Sequence, residues 1–342
     1  MREATHLRKF IQWKLIMVYL VAILCLTVVL ATAIGPVYIS PQEIVALIGS
    51  KLQLCEAPSS VIDIIIFDVR LPRTFLAILV GIALATAGTT LQGLFKNPMA
   101  DPYVIGISSG AAVGAALSFT VLPQFFAIYT TPFMAFLGAM FATFLVYNLA
   151  KVGGRIPIDT LLLTGLAISL FFSAFLSFMM YRAGHDLNRL FFWLMGSFRI
   201  ADWTDVAITV LPITVCSFLI YLFAKDLNAM LLGEESAQTL GINVENVKKI
   251  LLVLAAVITA AAVAFAGTIG FVGLIIPHIT RILVGPDHRI LFPASALVGG
   301  IFLVWADTLA CVLGEIPVGI ITAFFGAPFF IYLLRKRKTG YY

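Results

Sequence analysis

Residues 70–114, RLPRTFLAILVGIALATAGTTLQGLFKNPMADPYVIGISSGAAVG, decide the fold class. Two apolar runs rich in Gly and Ala flank a short polar turn, Lys96-Asn97-Pro98-Met99-Ala100-Asp101-Pro102. Arg70 and Arg73 close the first run on its N-terminal side, and the second carries Gly106, Gly110 and Gly114 at four-residue spacing. Successive apolar runs of this length, with so many small residues, suit helices packed against one another in a bilayer.

The rest of the chain repeats that pattern. Of its 342 residues 61% are hydrophobic and only 11% charged, and mean hydropathy is +1.05. A soluble domain carries about 25% charged residues, so the composition describes an all-α polytopic membrane protein. Ten spans are predicted, at about 15–34, 74–93, 103–122, 132–150, 159–181, 205–224, 248–266, 271–285, 292–313 and 318–334. The eighth is short and interrupted by Pro277. The whole of 1–342 reads as one transmembrane domain, its first span retained after a basic start. Cys25, Cys55, Cys216 and Cys311 show no CxxC spacing and read as small apolar residues, with no metal site. The net charge of +5 is spread over the loops, which excludes a nucleic-acid surface.

The distribution of Lys and Arg sets the orientation. With both termini inside, 16 of the 22 basic residues fall in cytoplasmic segments of a cell-membrane protein. The outer segment 35–69 has a helix start at Ser40-Pro41-Gln42-Glu43. A weak internal repeat relates Ala85-Thr86-Ala87-Gly88-Thr89 to Ala264-Phe265-Ala266-Gly267-Thr268, and Gly93-Leu94-Phe95 with Pro98 to Gly273-Leu274-Ile275 with Pro277. Gly88 and Gly267, like Pro98 and Pro277, are 179 residues apart, and the two copies run in opposite directions, so the fold is expected to contain an inverted repeat, a common transporter architecture.

Four constellations bear on function. The turn Asn97–Pro102 is rigid at two prolines, and is either a constriction of a pathway or a plain helix connection. Gly106-Ile107-Ser108-Ser109-Gly110 matches G-x-S-x-G, but a serine nucleophile (with His278, in an intramembrane hydrolase) needs a strand-to-helix elbow. Here the motif opens a helix, and close packing explains the glycines better. Leu232-Gly233-Glu234-Glu235-Ser236-Ala237-Gln238-Thr239-Leu240-Gly241 predicts a short helix within an inner segment, 229–242. Glu234 and Glu235 lie in its first turn, Gly241 ends it, and Leu232 and Leu240 give it an apolar side. That segment is either a docking surface for a cytoplasmic partner or a connector lying on the membrane. Asp307 and His278 fall inside spans, where ionisable groups face the protein interior. A hydrogen bond or salt bridge accounts for them more simply than the proton relay of an ion-coupled secondary transporter. There is no phosphate-binding G-x-x-x-x-G-K-[ST] loop.

Taken jointly, several of these stretches resemble the FecCD type permease family. They are Arg70-Leu71-Pro72-Arg73, Gln92-Gly93-Leu94-Phe95 with Asn97–Pro102, Gly106–Ala111, Leu232–Gly241, Gly270–His278, and Pro317-Val318-Gly319 with Gly326-Ala327-Pro328. The family comprises the membrane subunits of type II ABC importers for iron–siderophore, haem and cobalamin. The resemblance implies a ten-helix subunit paired with a second permease subunit, a homodimer being expected. It also implies a cytoplasmic ATPase dimer that holds ATP and magnesium, an extracytoplasmic substrate-binding protein, and no enzyme activity or bound cofactor in this chain. The cargo it implies is a metal chelate, iron(III)–siderophore first and cobalamin or haem next. By the same resemblance Arg70 and Arg73 are expected to dock the binding protein, and Asn97 and Met99 to narrow the inner gate. Leu232, Gly233, Glu234, Glu235, Ala237, Leu240 and Gly241 are expected to couple to the ATPase. The fifth helix should contribute a further gate at Ile158, Asp159 and Thr160, although family members often have small hydroxylated residues there. Cys311 stands where some members carry an arginine.

Overall fold

A computed structural model describes residues 2–35, 39, 60–121, 126–154 and 156–339. The expected helix after Ser40-Pro41, and Cys55, lie outside these residues. The described chain is helical, with no strand. Its helices are α1 (Arg2–Ala33), α2 (Leu71–Leu94), α3 (Ile107–Thr120), α4 (Thr130–Ala150), α5 (Ile158–Arg182), α6 (Leu187–Leu194), α7 (Trp203–Leu222), α8 (Ala224–Leu231), α9 (Glu234–Thr239), α10 (Val244–Ala266), α11 (Val272–Val284), α12 (His288–Val312) and α13 (Val318–Thr339). A further short α-helical segment, Ser60–Ile64, and a π-helical turn, Ile65–Arg70, lead into α2. Seven helices are long and apolar enough to cross a membrane, and α3, α11 and α13 are shorter apolar ones. Each of the ten predicted spans therefore receives a helix.

The stretch quoted first is the centre of the bundle. α2 is buried on nearly every side from Pro72 to Leu94, as an interior membrane helix should be. It packs against α7, α10, α11 and α12. The packing depends on glycine. A Cβ on Gly81 would run into the carbonyl oxygen of Gly299 on α12, and one on Gly88 into that of Gly273 on α11. The second run behaves similarly: Gly110 and Gly114 lie against the backbone of α4 at Gly138 and Met134. Gly106 does not belong to that packed face. It sits before α3 with φ +82° and terminates the 3₁₀ turn Pro102–Ile105, a left-handed position that favours glycine.

α2 and α12 run antiparallel. Arg73 at the start of α2 meets Asp307 near the end of α12, and Gly93 near the end of α2 meets His288 at the start of α12. α10 is also antiparallel to α2, since Leu94 and Phe95 share a wall with Lys248 and Leu252. The two helices that carry the copies of the sequence repeat, α2 and α10, thus run in opposite directions, as an inverted repeat requires. The matched glycines have different jobs, however. Gly88 is mid-helix, whereas Gly267 ends α10 with φ +70°.

The break after α10 lies within the bundle. Its desolvated backbone is satisfied in place, as irregular chain among membrane helices requires. Tyr103 Oη donates to Ile269 O at 2.9 Å and accepts from Ile269 N at 3.0 Å. Ser197 N donates to Ala266 O, and Thr268 Oγ1 to Leu194 O.

Candidate functional site

One end of the bundle carries the short helices α8 and α9. α9 begins with two acidic residues in its first turn, Glu234 and Glu235, where the helix dipole favours them. It ends in a Schellman motif: Ile242 N donates to Ala237 O, Gly241 N donates to Gln238 O, and Gly241 has φ +84°. Ala237 is fully buried beneath the helix. Leu232 and Leu240, at the two ends, are 79% and 69% exposed. The result is a short rigid projection whose two large apolar side chains face outward. Gly233, at φ +135°, makes the corner into it.

Lys248 holds this projection to the bundle. It is only 7% exposed, and its Nζ donates to Glu234 at 2.8 Å and to Glu245 at 3.3 Å. The other carboxylate oxygen of Glu245 accepts from Ile156 N at 3.4 Å, which draws in the segment before α5. Ile158 opens α5 and shares a wall with Leu94, Phe95, Lys248 and Leu252. Asp159 is exposed in the first turn of α5, and Thr160 is half-buried. Asn97 and Met99, both half-buried, lie just past the end of α2 at the same end of the bundle. The Asn97 side chain shapes the turn, its Oδ1 accepting from Met99 N at 3.0 Å. Gln92 steadies the turn from below, donating to Ala100 O and to Leu274 O, the latter at 3.0 Å. The expected gate and coupling residues therefore converge on one end of the molecule.

A second tether joins α8 to the start of α12. Asn228 Nδ2 donates to Asp287 Oδ1 at 2.8 Å, and Asn228 Oδ1 accepts from His288 N at 2.9 Å and faces His288 Nδ1 at 2.9 Å. Asp287 caps α12 and pairs with Arg289. Hydrogen bonding from Arg289, supported by Asn228, holds the Asp287 carboxyl down at about 2. A depressed carboxyl stabilises the fold above its ordinary range, and that contribution disappears as pH falls through about 2. Asp287→Asn should accordingly lower stability at pH 7, with the difference from wild type shrinking toward pH 3. Unfolding in detergent at the two pH values measures it, and a pH-independent difference would refute it. Asn228, Lys248, Asp287 and His288 were not singled out by sequence reasoning. Only the Asp before an apolar run, a helix-capping signal, hinted at any of them.

The opposite end of the bundle holds Arg70 and Arg73. They are 9% and 8% exposed, and both guanidinium groups point inward. Arg70 Nη1 donates to the carbonyl oxygens of Thr32 and Ala33 at the end of α1. Arg73 Nε and Nη2 donate to the two oxygens of Asp307 at 2.7 and 2.9 Å, and Nη1 donates to Glu315 at 3.1 Å. The fork-on-fork geometry is the strong form of the Arg–carboxylate pair. Two buried guanidinium groups bonded within the chain differ from the outward-reaching side chains expected of direct docking residues. Asp307 is the salt-bridged group that its place in a span suggested. No hydrogen bond joins Ser108 to His278 among the described residues. The His278 ring stands edge-on to Phe329 instead, 6.3 Å between centroids.

This geometry is that of a helical membrane permease with a projecting contact element at one end. The FecCD transport family model matches residues 23–336, and the chain belongs to that family. It is a transport subunit of an ABC importer, with the ATPase on a separate subunit. It is 50% identical to the cobalamin import system permease protein BtuC of Halobacterium salinarum, over 81% of this chain and 75% of that one. It is 40% identical to the hemin transport system permease protein HmuU of Yersinia pestis, over 80% and 84%. A solved metal-chelate type ABC transporter in an inward-facing conformation superposes with a TM-score of 0.82 at 33% identity, covering 94% of this chain and 99% of that one.

Proposed function

We propose that the chain moves a metal chelate across the cell membrane, driven by a cytoplasmic ATPase pair that docks on α9. The observation that carries this is the projection itself: two exposed leucines on a capped helix, fixed to the core by a buried lysine. An exposed apolar pair on a rigid mount is what a groove in a partner needs. The end bearing α9 faces the cytoplasm, a reading supported by the excess of Lys and Arg in the segments that reach it. We put both termini at that end too, a reading supported by Trp13 in the first half of α1, which lies 5.3 Å from the Arg289 guanidinium, and by α13, which runs back toward the same end. ATP and magnesium belong to the ATPase, and this chain holds no cofactor of its own.

The turn at Asn97 and Met99, with Ile158, Asp159 and Thr160 opposite, forms the cytoplasmic gate. A second copy of the chain completes the pathway against α5, whose Leu163, Leu166 and Leu170 lie uncovered along one stripe. The binding protein docks over the other end. Arg70 and Arg73 serve that contact by bracing the rim, through α1 and through Asp307 and Glu315. The relative at 50% identity is a cobalamin permease, which favours a corrinoid over the iron(III)–siderophore placed first on motifs alone.

Deleting Leu232–Gly241, or introducing Leu232→Asp with Leu240→Asp, is expected to cut copurification of the ATPase by about ten-fold or more. The double substitution should leave the melting of the permease itself nearly unchanged, because both side chains are exposed. An ATPase yield equal to wild type would remove the coupling assignment. Uptake of cyanocobalamin, haemin and a ferric hydroxamate, each with the cognate binding protein, ranks the cargo.

A further inference from the structure

We infer that Asn228 is the positioning residue that passes displacement of the coupling segment to the cytoplasmic gate, so that its loss separates ATP turnover from movement of the gate. The inference rests on the coupling reading of α9. Two side-chain hydrogen-bonded attachments hold the α8–α9 segment to the bundle. One is Lys248, whose partner Glu234 is itself partly exposed, with 38% of its side chain accessible. The other is Asn228, whose partners belong to the first turn of α12.

The Asn228 attachment is the stiffer of the two. Its Oδ1 accepts from the backbone N of His288, which cannot move without α12, and also receives Nδ1 of the His288 ring. With Asn228 Oδ1 as acceptor, that ring nitrogen carries the proton, so the tautomer is fixed. The ring is fully buried, lies tilted against Phe292 with 5.5 Å between centroids, and presses its Nε2 toward Gly93 so closely that a Cβ there would meet it at 2.6 Å. Nε2 has no hydrogen-bond partner. A buried imidazole left half-unsatisfied is costly, so the ring's place is set by its contacts with Asn228, Phe292 and Gly93. Leu227, the neighbour of Asn228 and fully buried, also reaches Gly93. Two residues past Gly93, α2 gives way to the turn that carries Asn97 and Met99. The contacts from α8 through Asn228 and His288 to Gly93 and the gate turn are thus continuous and short, the physical condition for coupling.

The reciprocal chemistry supplies a test that does not depend on one damaging substitution. Asn228→Asp sets two carboxylates against each other at Asp287. Adding Asp287→Asn restores one donor and one acceptor across the same contact. The permease–ATPase complex in nanodiscs, cysteine-free except for Met99→Cys, is labelled with a membrane-impermeant maleimide, with or without ATP and vanadate. Nucleotide is expected to change the labelling rate of the parent by about five-fold or more, and of Asn228→Ala and Asn228→Asp by less than about two-fold. ATPase copurification and ATP hydrolysis should stay close to the parent in every variant, which a merely structural defect would not allow. The double exchange should recover the nucleotide response. A full response in Asn228→Ala, or no recovery in the double exchange, overturns the proposal. An ATPase that fails to copurify with the parent complex overturns the coupling reading beneath it instead.

Discussion

Replacing Arg73 by alanine is expected to destabilise the permease by about 3–5 kcal/mol, the typical result of removing one partner from a buried ion pair. Its guanidinium holds both oxygens of Asp307 and one of Glu315, and only the Glu315 side chain has appreciable access to solvent. Without Arg73 the Asp307 carboxylate stays in a site that can neither hydrate it nor pair it. Arg73→Met together with Asp307→Leu should recover most of the loss, since well-packed apolar replacements of a buried pair are close to neutral. Denaturant titration of the purified protein measures both. A cost below about 1 kcal/mol for Arg73→Ala would show that the pair is solvated in the assembled membrane protein. The apolar double variant also tests the relay alternative. An ion-coupled transporter would lose uptake with Asp307 whatever the binding protein does, whereas in an ATP-driven permease any loss of uptake in the repacked variant should track weaker association with the binding protein.

The second large effect is expected at Gly88. Gly88→Leu places four carbons where the backbone carbonyl of Gly273 now lies, and a helix backbone cannot yield as a side-chain tip can. Overpacking in a core costs about 1–3 kcal/mol when side chains give way. Here α2 and α11 must separate, so the upper end of that range or beyond applies, with loss of folded protein in the membrane fraction. Gly88→Ala should be milder but still measurable. Gly270→Leu, at a position with no neighbour within 4 Å and no left-handed φ, controls for the loss of a glycine alone. Equal yields of the Gly88 and Gly270 variants would contradict the close approach of α2 and α11.

Much of this fold was legible in the sequence because a membrane imposes one solution. Apolar runs of spanning length must be helices, and the ten predicted spans coincide with ten helices even where Pro277 and short length weakened the signal. The capped projection was equally readable, since acidic residues, a glycine stop and flanking leucines have local meanings. What stayed hidden was long-range. Arg70 and Arg73 look like surface residues in a linear reading, because the carbonyl oxygens of α1 and the carboxylates of Asp307 and Glu315 that take them up lie 37 to 242 residues away. Gly106 looked like the first member of a packing stripe, and only the backbone reveals it as a left-handed stop. The Asn228–His288 tether joins residues 60 apart with no sequence periodicity between them. Asp307 was the exception, because a carboxylate inside a span demands a partner and so announces one.

The antiparallel pair of α2 and α12 is fastened at both ends, by Arg73 with Asp307 at one and by Gly93 with His288 at the other, and pressed together at Gly81 and Gly299 between them. Two rods held at three places resist sliding and splaying more than tipping as one piece. α2 alone is about 36 Å long, the depth of the membrane. A seesaw of that length, tipped about its middle, swings its two ends in opposite senses. If the pair tips in this way, a change that widens the passage beside one mouth narrows it beside the other.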